Sequence, residues 1–171
     1  MPIRSVFKCA DYAPSRGDEY GGLLTTLKVR PGVMLNGTVT VLKNGILNPA
    51  INSLLSRVRH TNTLVIADRG FPYWPQIETV DISLVDDIPR VLEVLNAVQA
   101  NFSIGKIVMA EEFRQVNDAQ MVRSFEECFG TIPVLFEPHR QFKERVPLAI
   151  GVIRTADTVQ YANMILESAP R

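Results

Sequence analysis

The chain has 171 residues, 46% of them hydrophobic, which is enough to bury the core of one compact domain. Its 18 basic and 18 acidic side chains give a formal net charge of zero without a basic block, so a nucleic-acid or anionic-membrane partner is not expected. The apolar runs are too short to span a bilayer, and the first nine residues lack the continuous apolar stretch of a secretory signal, so we expect a cytoplasmic protein.

The first predicted helix begins at Asn48-Pro49, because Asn is a good N-cap and Pro suits the first helical turn. We expect this helix to end near His60. A β-branched, apolar run from Thr63 to Ala67 then predicts a buried strand, which the segment from Asp68 to Pro72 terminates. The apolar residues of the helix recur at the spacing of one buried stripe: Ile51, Leu54, Leu55 and Val58.

Strands and helices continue to alternate along the rest of the chain. Asp86 or Asp87, with Pro89, should start a second helix, and Gly130 should close a third. The second helix should bury Val91, Leu92, Leu95 and Val98, and the third Met121, Phe125, Cys128 and Phe129. The further predicted strands are 79–85, 104–110, 133–136, 148–153 and 163–166.

This alternation predicts a single α/β domain with a central, mainly parallel sheet and helices on both faces. In open sheets of this kind, ligands bind outside the carboxyl ends of the strands. Asp68, the Glu111-Glu112 pair and His139 each follow a predicted strand, so we expect them near a binding site.

The chain contains only two histidines, and both lie in short polar segments: His60 next to Arg59, and His139 next to Arg140. Histidine has an unperturbed pKa of about 6.5, so it can give and take protons near neutral pH. Two histidines in one pocket could therefore supply an acid and a base. No other side chain in the sequence is as well suited to proton transfer.

Each of these candidates also has a simpler interpretation. His60 could be a C-terminal helix cap, and Asp68 could be only a turn residue. His139 and Lys143, four residues apart, share one face of a helix, which could be a solvated face or could bring both side chains to one ligand.

The same applies to the polar residues near the other strands. Glu111 and Glu112 could simply cap the next helix, and we leave them out of the predicted site. Tyr161 and Asn163 are expected to alternate on a strand, with both side chains on one side.

A set of short segments follows one order from about Lys43 to Ala169. They are Lys43-Asn44-Gly45-Ile46-Leu47-Asn48, Ser56-Arg57, His60-Thr61, Thr63-Leu64-Val65, Asp68 with Gly70 and Pro72, Ala110-Glu111-Glu112, His139 with Gln141-Phe142-Lys143, Tyr161-Ala162-Asn163 and Ile165-Leu166. Their order and spacing together resemble the D-ribose pyranase and L-fucose mutarotase family (RbsD/FucU). The resemblance implies a single α/β domain that assembles into rings.

The family's chemistry, by this resemblance, is the interconversion of cyclic sugar forms. A proton is delivered to the ring oxygen while the anomeric hydroxyl loses one, so that the ring opens and closes again. No metal or other cofactor is needed. The resemblance implies that His60 is the proton donor. It implies sugar binding by Asp68, His139, Tyr161 and Asn163, with Lys143 as a further candidate.

The segments around the second histidine and Tyr161-Ala162-Asn163 resemble the ribose pyranase branch more than the fucose mutarotase branch. The chain departs from the family at Arg59, where glycine is usual, and at Arg69, where a small residue is common. Two arginines near the pocket could admit an acidic or differently substituted sugar. The loop 71–75 is also bulkier than expected.

Roughly the first forty residues have no counterpart in the family, so we predict an N-terminal arm over 1–40 and the sugar-converting domain over 41–171. The aromatic loop residues Phe71, Tyr73 and Trp74 should form a surface patch that a monomer would expose at a cost. This patch and the family resemblance together lead us to expect a homo-oligomer in which a neighbouring subunit completes each site. The resemblance implies that it is a ring or a decamer of paired pentameric rings.

Three alternatives remain open from the sequence. The first is a fucose-type mutarotase. The second is an accessory protein that binds sugar without converting it, because retained binding residues do not prove catalysis. The third is a metal hydrolase that uses His60, His139, Asp68 and Glu111, although the sequence has no metal-ligand spacing of a known type.

Overall fold

The computed structural model describes residues 45–169, and the predicted arm over 1–40 lies outside them. The helices are α1 (Pro49–Arg57), α2 (Val91–Gln99), α3 (Glu112–Val116), α4 (Ala119–Phe129) and α5 (His139–Arg145), which a single 3₁₀ turn (Val146–Leu148) follows. The strands are β1 (Thr63–Ala67), β2 (Glu78–Asp81), β3 (Ile104–Ala110), β4 (Val134–Glu137), β5 (Gly151–Arg154) and β6 (Met164–Ser168).

The strands form one six-stranded sheet in the order β2-β5-β1-β6-β3-β4. Three neighbouring pairs, β2 with β5, β5 with β1, and β3 with β4, are parallel. Strand β6 alone runs against its neighbours β1 and β3. The prediction of a mainly parallel sheet in a single α/β domain is therefore confirmed.

Both faces of the sheet are covered, because successive side chains of a strand point to opposite sides. On β1, Leu64 and Ile66 pack on one face, against α1, α2, α3 and α4, whereas Val65 and Ala67 pack on the other, against α5. The first face carries the larger core, with α2 burying Val91, Val94, Leu95 and Val98. The second face is sealed mainly by Phe142, which is fully buried.

Strands β1 and β6 are tied together beyond both ends of their ladder. At one end Asp68 and Asn163 are hydrogen-bonded to each other. At the other end, the Ser168 hydroxyl donates to the Arg59 carbonyl and the Ser168 N–H donates to the Asn62 carbonyl at 3.0 Å. The residues at the two ends of β1 are therefore held in fixed positions, one at the amino-terminal end of the strand and one at its carboxyl end.

Helix α1 begins as predicted, with the Asn48 side chain accepting from the N–H groups of Ala50 and Ile51 at 2.9 and 3.1 Å. It ends at Arg57, three residues earlier than predicted. Val58 is already extended and buried, and the Asn62 side chain accepts from the Arg59 N–H to close a turn before β1. A packed Val58 therefore stops the helix.

The residue predicted to cap the N-terminus of α2 was wrong. The N-cap is Arg90, whose N–H donates to Glu93 at 2.9 Å, and neither Asp86 nor Asp87 caps the helix. The Val91 N–H instead donates to Asp157, a residue 66 positions away in sequence. A cap supplied by a distant segment leaves no local signal.

Several strand boundaries also differ from the prediction. Strand β2 ends at Asp81, because the Asp81 carboxylate accepts from the Ser83 N–H and hydroxyl and turns the chain. Leu148 belongs to the 3₁₀ turn, and β5 begins only at Gly151. Among the helices of residues 45–169, none is long and apolar enough to cross a membrane.

Gly151 is expected to be required for the close approach of β5 to α1 and β2. A methyl group at this position would lie 2.6 Å from Leu54 Cδ2 and 2.9 Å from the Glu78 carbonyl oxygen. We expect Gly151→Ala to lower the free energy of unfolding by about 2 kcal/mol through overpacking, measured by urea denaturation at fixed protein concentration.

Gly70→Ala is the matched control, since its methyl group would meet only Asp68 Oδ1, at 3.5 Å. We expect this change to alter the free energy of unfolding by no more than about 0.5 kcal/mol. Equal losses in the two variants would contradict the packing explanation.

Candidate functional site

A cleft of about 430 Å³ opens at the carboxyl ends of β1 and β4. Five of the six predicted site residues line it: Asp68, His139, Lys143, Tyr161 and Asn163. Asp68 directly follows β1, His139 and Lys143 lie on α5, which follows β4, and Tyr161 and Asn163 lie in the segment before β6. The predicted position of Asp68 and His139 after strand ends is therefore confirmed.

Asp68 and Asn163 form a reciprocal pair at the base of the cleft. The Asp68 N–H donates to Asn163 Oδ1 at 2.8 Å, and Asn163 Nδ2 donates to Asp68 Oδ2 at 2.8 Å. Burial raises the pKa of Asp68, and this is only partly opposed by the bonds from Asn163 and from the Gly70 N–H. The pair presents a fixed carboxylate and a fixed amide, which together can accept and donate hydrogen bonds.

His139 lies on the opposite side of the cleft, at the first position of α5. The backbone N–H of His139 donates to both oxygens of the Glu112 carboxylate, at 3.2 and 3.0 Å. Its ring packs edge-on against Tyr161, with ring centroids 4.9 Å apart. Within the described part of the chain, the buried ring atom Nε2 has no hydrogen-bond partner.

The pKa of His139 is lowered, first by burial and then by the positive charge of Lys143, while Glu112 opposes the shift. The imidazole is therefore largely neutral near pH 7 and can either accept or donate a hydrogen bond at Nε2, depending on its tautomer.

Tyr161 and Asn163 are not on a strand, contrary to the prediction, since β6 begins at Met164. Strand β6 does not extend further along β1, because the Asp68 N–H donates to the Asn163 side chain at 2.8 Å and the Ala162 N–H donates to the Val159 carbonyl at 3.4 Å. The backbone of Tyr161 has a φ of +56°, a left-handed conformation that residues other than glycine rarely adopt and that often marks a functional site.

Lys143 is exposed and, among residues 45–169, has no salt-bridge partner. It lies one helical turn after His139, as predicted, and both side chains also border a second cavity of about 630 Å³ beside Trp74. An ammonium group without a carboxylate partner can donate to hydroxyl oxygens of a bound ligand.

His60 is the one predicted site residue outside the cleft. It lies in the turn before β1, is exposed, and its ring Nδ1 is 3.2 Å from the Ala169 carbonyl oxygen. Asp68 follows the other end of β1, and the five residues of this strand alone span about 16 Å. His60 and the Asp68 cleft of one chain therefore do not form a single pocket.

The arginines that depart from the family pattern do not offer free charges in the cleft. The Arg59 guanidinium donates to the Ser56 and Val58 carbonyls beside His60. Arg69 lines the cleft, but its guanidinium is paired with Asp86. The idea that these two arginines create an acidic-sugar pocket within one chain is not supported by these contacts.

The predicted aromatic patch was wrong in two of its three members. Phe71 is 5% exposed and packs against Phe142, and Trp74 is half-buried against the same cluster. Only Tyr73, 70% exposed, lies at the surface. The aromatic side chains were misassigned because an apolar residue in a loop can just as well complete a core.

Two further acidic residues lie at the site. The sequence placed Glu112 near a binding site but left it out of the predicted set, and it missed Asp157. Glu112 binds the backbone of His139, and the buried Asp157 lines the cleft beside Asp68. Glu112 was left out because it could simply cap the next helix along the chain. It instead binds the N-terminus of α5, which starts at His139. Its position after β3 was the available signal that it lies near the site. Asp157 gave no signal, since the residues that connect it to the site, Val91 and Arg69, are distant in sequence. Within residues 45–169, no three His, Cys, Asp or Glu side chains are grouped to hold a metal ion.

A model of the RbsD / FucU transport protein family matches residues 41–170. The chain belongs to this family. Among curated relatives, it is 44% identical to a D-ribose pyranase of Geobacillus kaustophilus over 126 residues, which is 74% of this chain and 92% of the relative.

Two solved structures extend the comparison. The structure of Bacillus subtilis RbsD complexed with D-ribose matches with a TM-score of 0.70 and 28% identity, covering 76% of this chain and 98% of the other. The fucose mutarotase of Streptococcus pneumoniae in complex with L-fucose matches with a TM-score of 0.64 and 19% identity, over 76% and 99% of the two chains, which supports the shared fold.

The electrostatics of the cleft lead to a prediction about His139. Its imidazole should titrate below the ordinary pKa of about 6.5 in NMR spectra recorded against pH, because burial disfavours the charged ring. Lys143→Met should raise the His139 pKa, since it removes a nearby positive charge.

Arg140→Met is the matched control, because Arg140 lies on the same helix but is 92% exposed in its side chain and pairs with Glu144. It should leave the His139 pKa nearly unchanged. A His139 pKa that is insensitive to Lys143→Met would contradict this description of the cleft.

Proposed function

We propose that the protein interconverts cyclic forms of a monosaccharide without a cofactor, with ribopyranose to ribofuranose as the first reaction to test. The observation that carries this proposal is the cleft in which Asp68, His139, Lys143, Tyr161 and Asn163 converge. Relatives named D-ribose pyranase, with identities of 38–44%, support it.

In this proposal, the fixed pair of Asp68 and Asn163 binds neighbouring sugar hydroxyls. The unpaired Nε2 atom of His139 forms a hydrogen bond with another hydroxyl, and Lys143 donates to a further oxygen. Tyr161 offers a phenolic hydroxyl and an apolar ring for the C–H groups of the sugar. Such a mixture of donors, acceptors and an aromatic ring suits a polyol.

His60 is the proposed proton donor to the ring oxygen, and we propose that it reaches the cleft of a neighbouring subunit. Two observations support this arrangement: His60 is exposed, and the length of β1 separates it from its own cleft. The His60 imidazole would deliver a proton to the ring oxygen while the anomeric hydroxyl gives its proton to water. Closing the new ring reverses both transfers, so no redox step or covalent intermediate is required.

We further propose a homo-oligomer, either a ring or a decamer of paired pentameric rings. Several large apolar side chains are exposed in the described part of the chain and could be covered by neighbours. They include Leu47, Tyr73, Leu84, Val85, Ile88 and Leu148. We also propose that the protein acts in the cytoplasm, in keeping with relatives named as sugar-converting enzymes; cell fractionation would test this.

The most direct test of the activity is saturation-transfer NMR on free aldoses, including D-ribose and L-fucose. We expect the purified protein to accelerate exchange between the pyranose and furanose forms of ribose, without added metal or cofactor. Faster exchange of fucose anomers than of ribose forms would favour the fucose-type alternative. Binding without acceleration on any sugar would indicate an accessory protein and contradict the proposed enzyme.

The role of His60 predicts a specific loss. His60→Ala should lower the exchange rate by about 100-fold, because a positioned general acid contributes roughly 10²–10⁴-fold. Sugar affinity should be largely retained, since the cleft residues remain. Glu127→Ala, on an exposed position of α4, is the control and should exchange sugar at the wild-type rate. Unchanged turnover in His60→Ala would remove this residue from the mechanism.

A further inference from the structure

Asp157 is a buried carboxylate of the cleft that the proposed sugar chemistry does not use. It is 2% exposed and lines the cleft beside Asp68. Its carboxylate accepts from the Val91 N–H and the Val159 N–H, both at 2.9 Å. Because a buried charge is costly without compensation, its position at the N-terminus of α2, where anions are stabilised, explains how it is retained.

The backbone of Asp157 is bound directly to Arg69, which follows Asp68, and through the Thr155 hydroxyl to Ala67, which precedes it. The Arg69 N–H donates to the Asp157 carbonyl at 3.1 Å. The Asp157 N–H donates to the Thr155 hydroxyl at 3.2 Å, and that hydroxyl donates to the Ala67 carbonyl at 2.8 Å. Through its backbone and its carboxylate, Asp157 therefore connects the turn that carries Asp68 to the N-terminus of α2.

Asp157 is a like charge that acts on Asp68. Burial is the first cause of the raised Asp68 pKa, and the negative charge of Asp157 raises it further. Across the cleft lie His139 and Lys143, while the adjacent Arg69 is paired with Asp86.

Asp157 itself is surrounded by few charges. Burial raises its pKa, the bonds from Val159 and Val91 lower it, Asp87 raises it and Arg90 lowers it. Asp87 is in turn held by the N–H and hydroxyl of Thr158, at 3.1 and 2.7 Å. Asp157 is thus the point where the loop before α2, the helix terminus and the Asp68 turn meet.

We infer that Asp157 is a positioning residue of the proposed sugar site, which holds the turn of Asp68 against the N-terminus of α2. The inference rests on the proposed function, in which Asp68 accepts hydrogen bonds from sugar hydroxyls and does so most strongly when it is ionised. Asp157 has no contact with the sugar in this arrangement; it acts through Asp68.

This arrangement makes the acid limb of the pH–rate profile depend on Asp157. Activity should fall at low pH as Asp68 becomes protonated. Asp157→Asn removes the like charge, so the pKa of Asp68 should fall and the acid limb should move to lower pH. The amide can accept only one of the two N–H bonds well, so kcat/KM at pH 7 should fall about tenfold, the effect of losing one hydrogen bond to a charged group.

Two variants separate positioning from a general loss of structure. Asp157→Glu keeps the charge and should leave the acid limb near its wild-type pH, even if the rate falls. Thr155→Val removes the buried hydroxyl link without changing charge, so it should lower kcat/KM but leave the acid limb in place. An acid limb that stays fixed in folded Asp157→Asn, while the wild type is active, would overturn the inference; an inactive wild type would instead refute the proposed function.

A measurement that does not need turnover keeps the inference testable if Asp157→Asn fails to fold. In ¹³C NMR titrations of the wild-type carboxyl groups, Asp68 and Asp157 should titrate as a coupled pair, each sensing the other's proton. In Asp68→Asn, the pKa of Asp157 should be lower than in the wild type. Independent single-step titrations, with no change of Asp157 in Asp68→Asn, would overturn the inference.

Discussion

The length of β1 is the constraint on which the rest of the site depends. Four of its five residues are buried, and the strand is paired on both sides, so it cannot bend to bring its two ends together. Asp68 is fixed beyond one end by Asn163, and His60 is fixed beyond the other by contacts to the end of β6. A reaction that uses both residues therefore requires two chains.

The buried charged and polar groups of the cleft are stabilised by hydrogen bonds and by a helix terminus. Asp68 shares its hydrogen bonds with Asn163 and with backbone N–H groups, and Asp157 rests on the N-terminus of a helix. His139 stays largely neutral because it is buried beside a lysine. These arrangements pre-orient acceptors and donors before a sugar arrives, which reduces the ordering that binding would otherwise require.

Local patterns predicted those elements whose signals are local. Thr63–Ala67 and Ile104–Ala110 have the predicted bounds because short, mainly apolar runs rich in β-branched residues mark buried strands. The cap of α2 and the left-handed turn at Tyr161 were missed, because both depend on contacts with distant segments. Five site residues were found together because the family pattern carries long-range information. The separation of His60 from these five was not predicted, because it became evident only from the position of β1 in the sheet.

Subunit complementation tests most directly whether one site is built from two chains. His60→Ala and Asp68→Asn subunits would be dissociated, mixed in equal amounts and reassembled, and ribose exchange would be compared with that of each parent. If a neighbour supplies His60, random mixing should restore about a quarter of the wild-type activity, because one site in four pairs an intact cleft with an intact histidine. Activity no higher than the mean of the two parents would contradict the shared site.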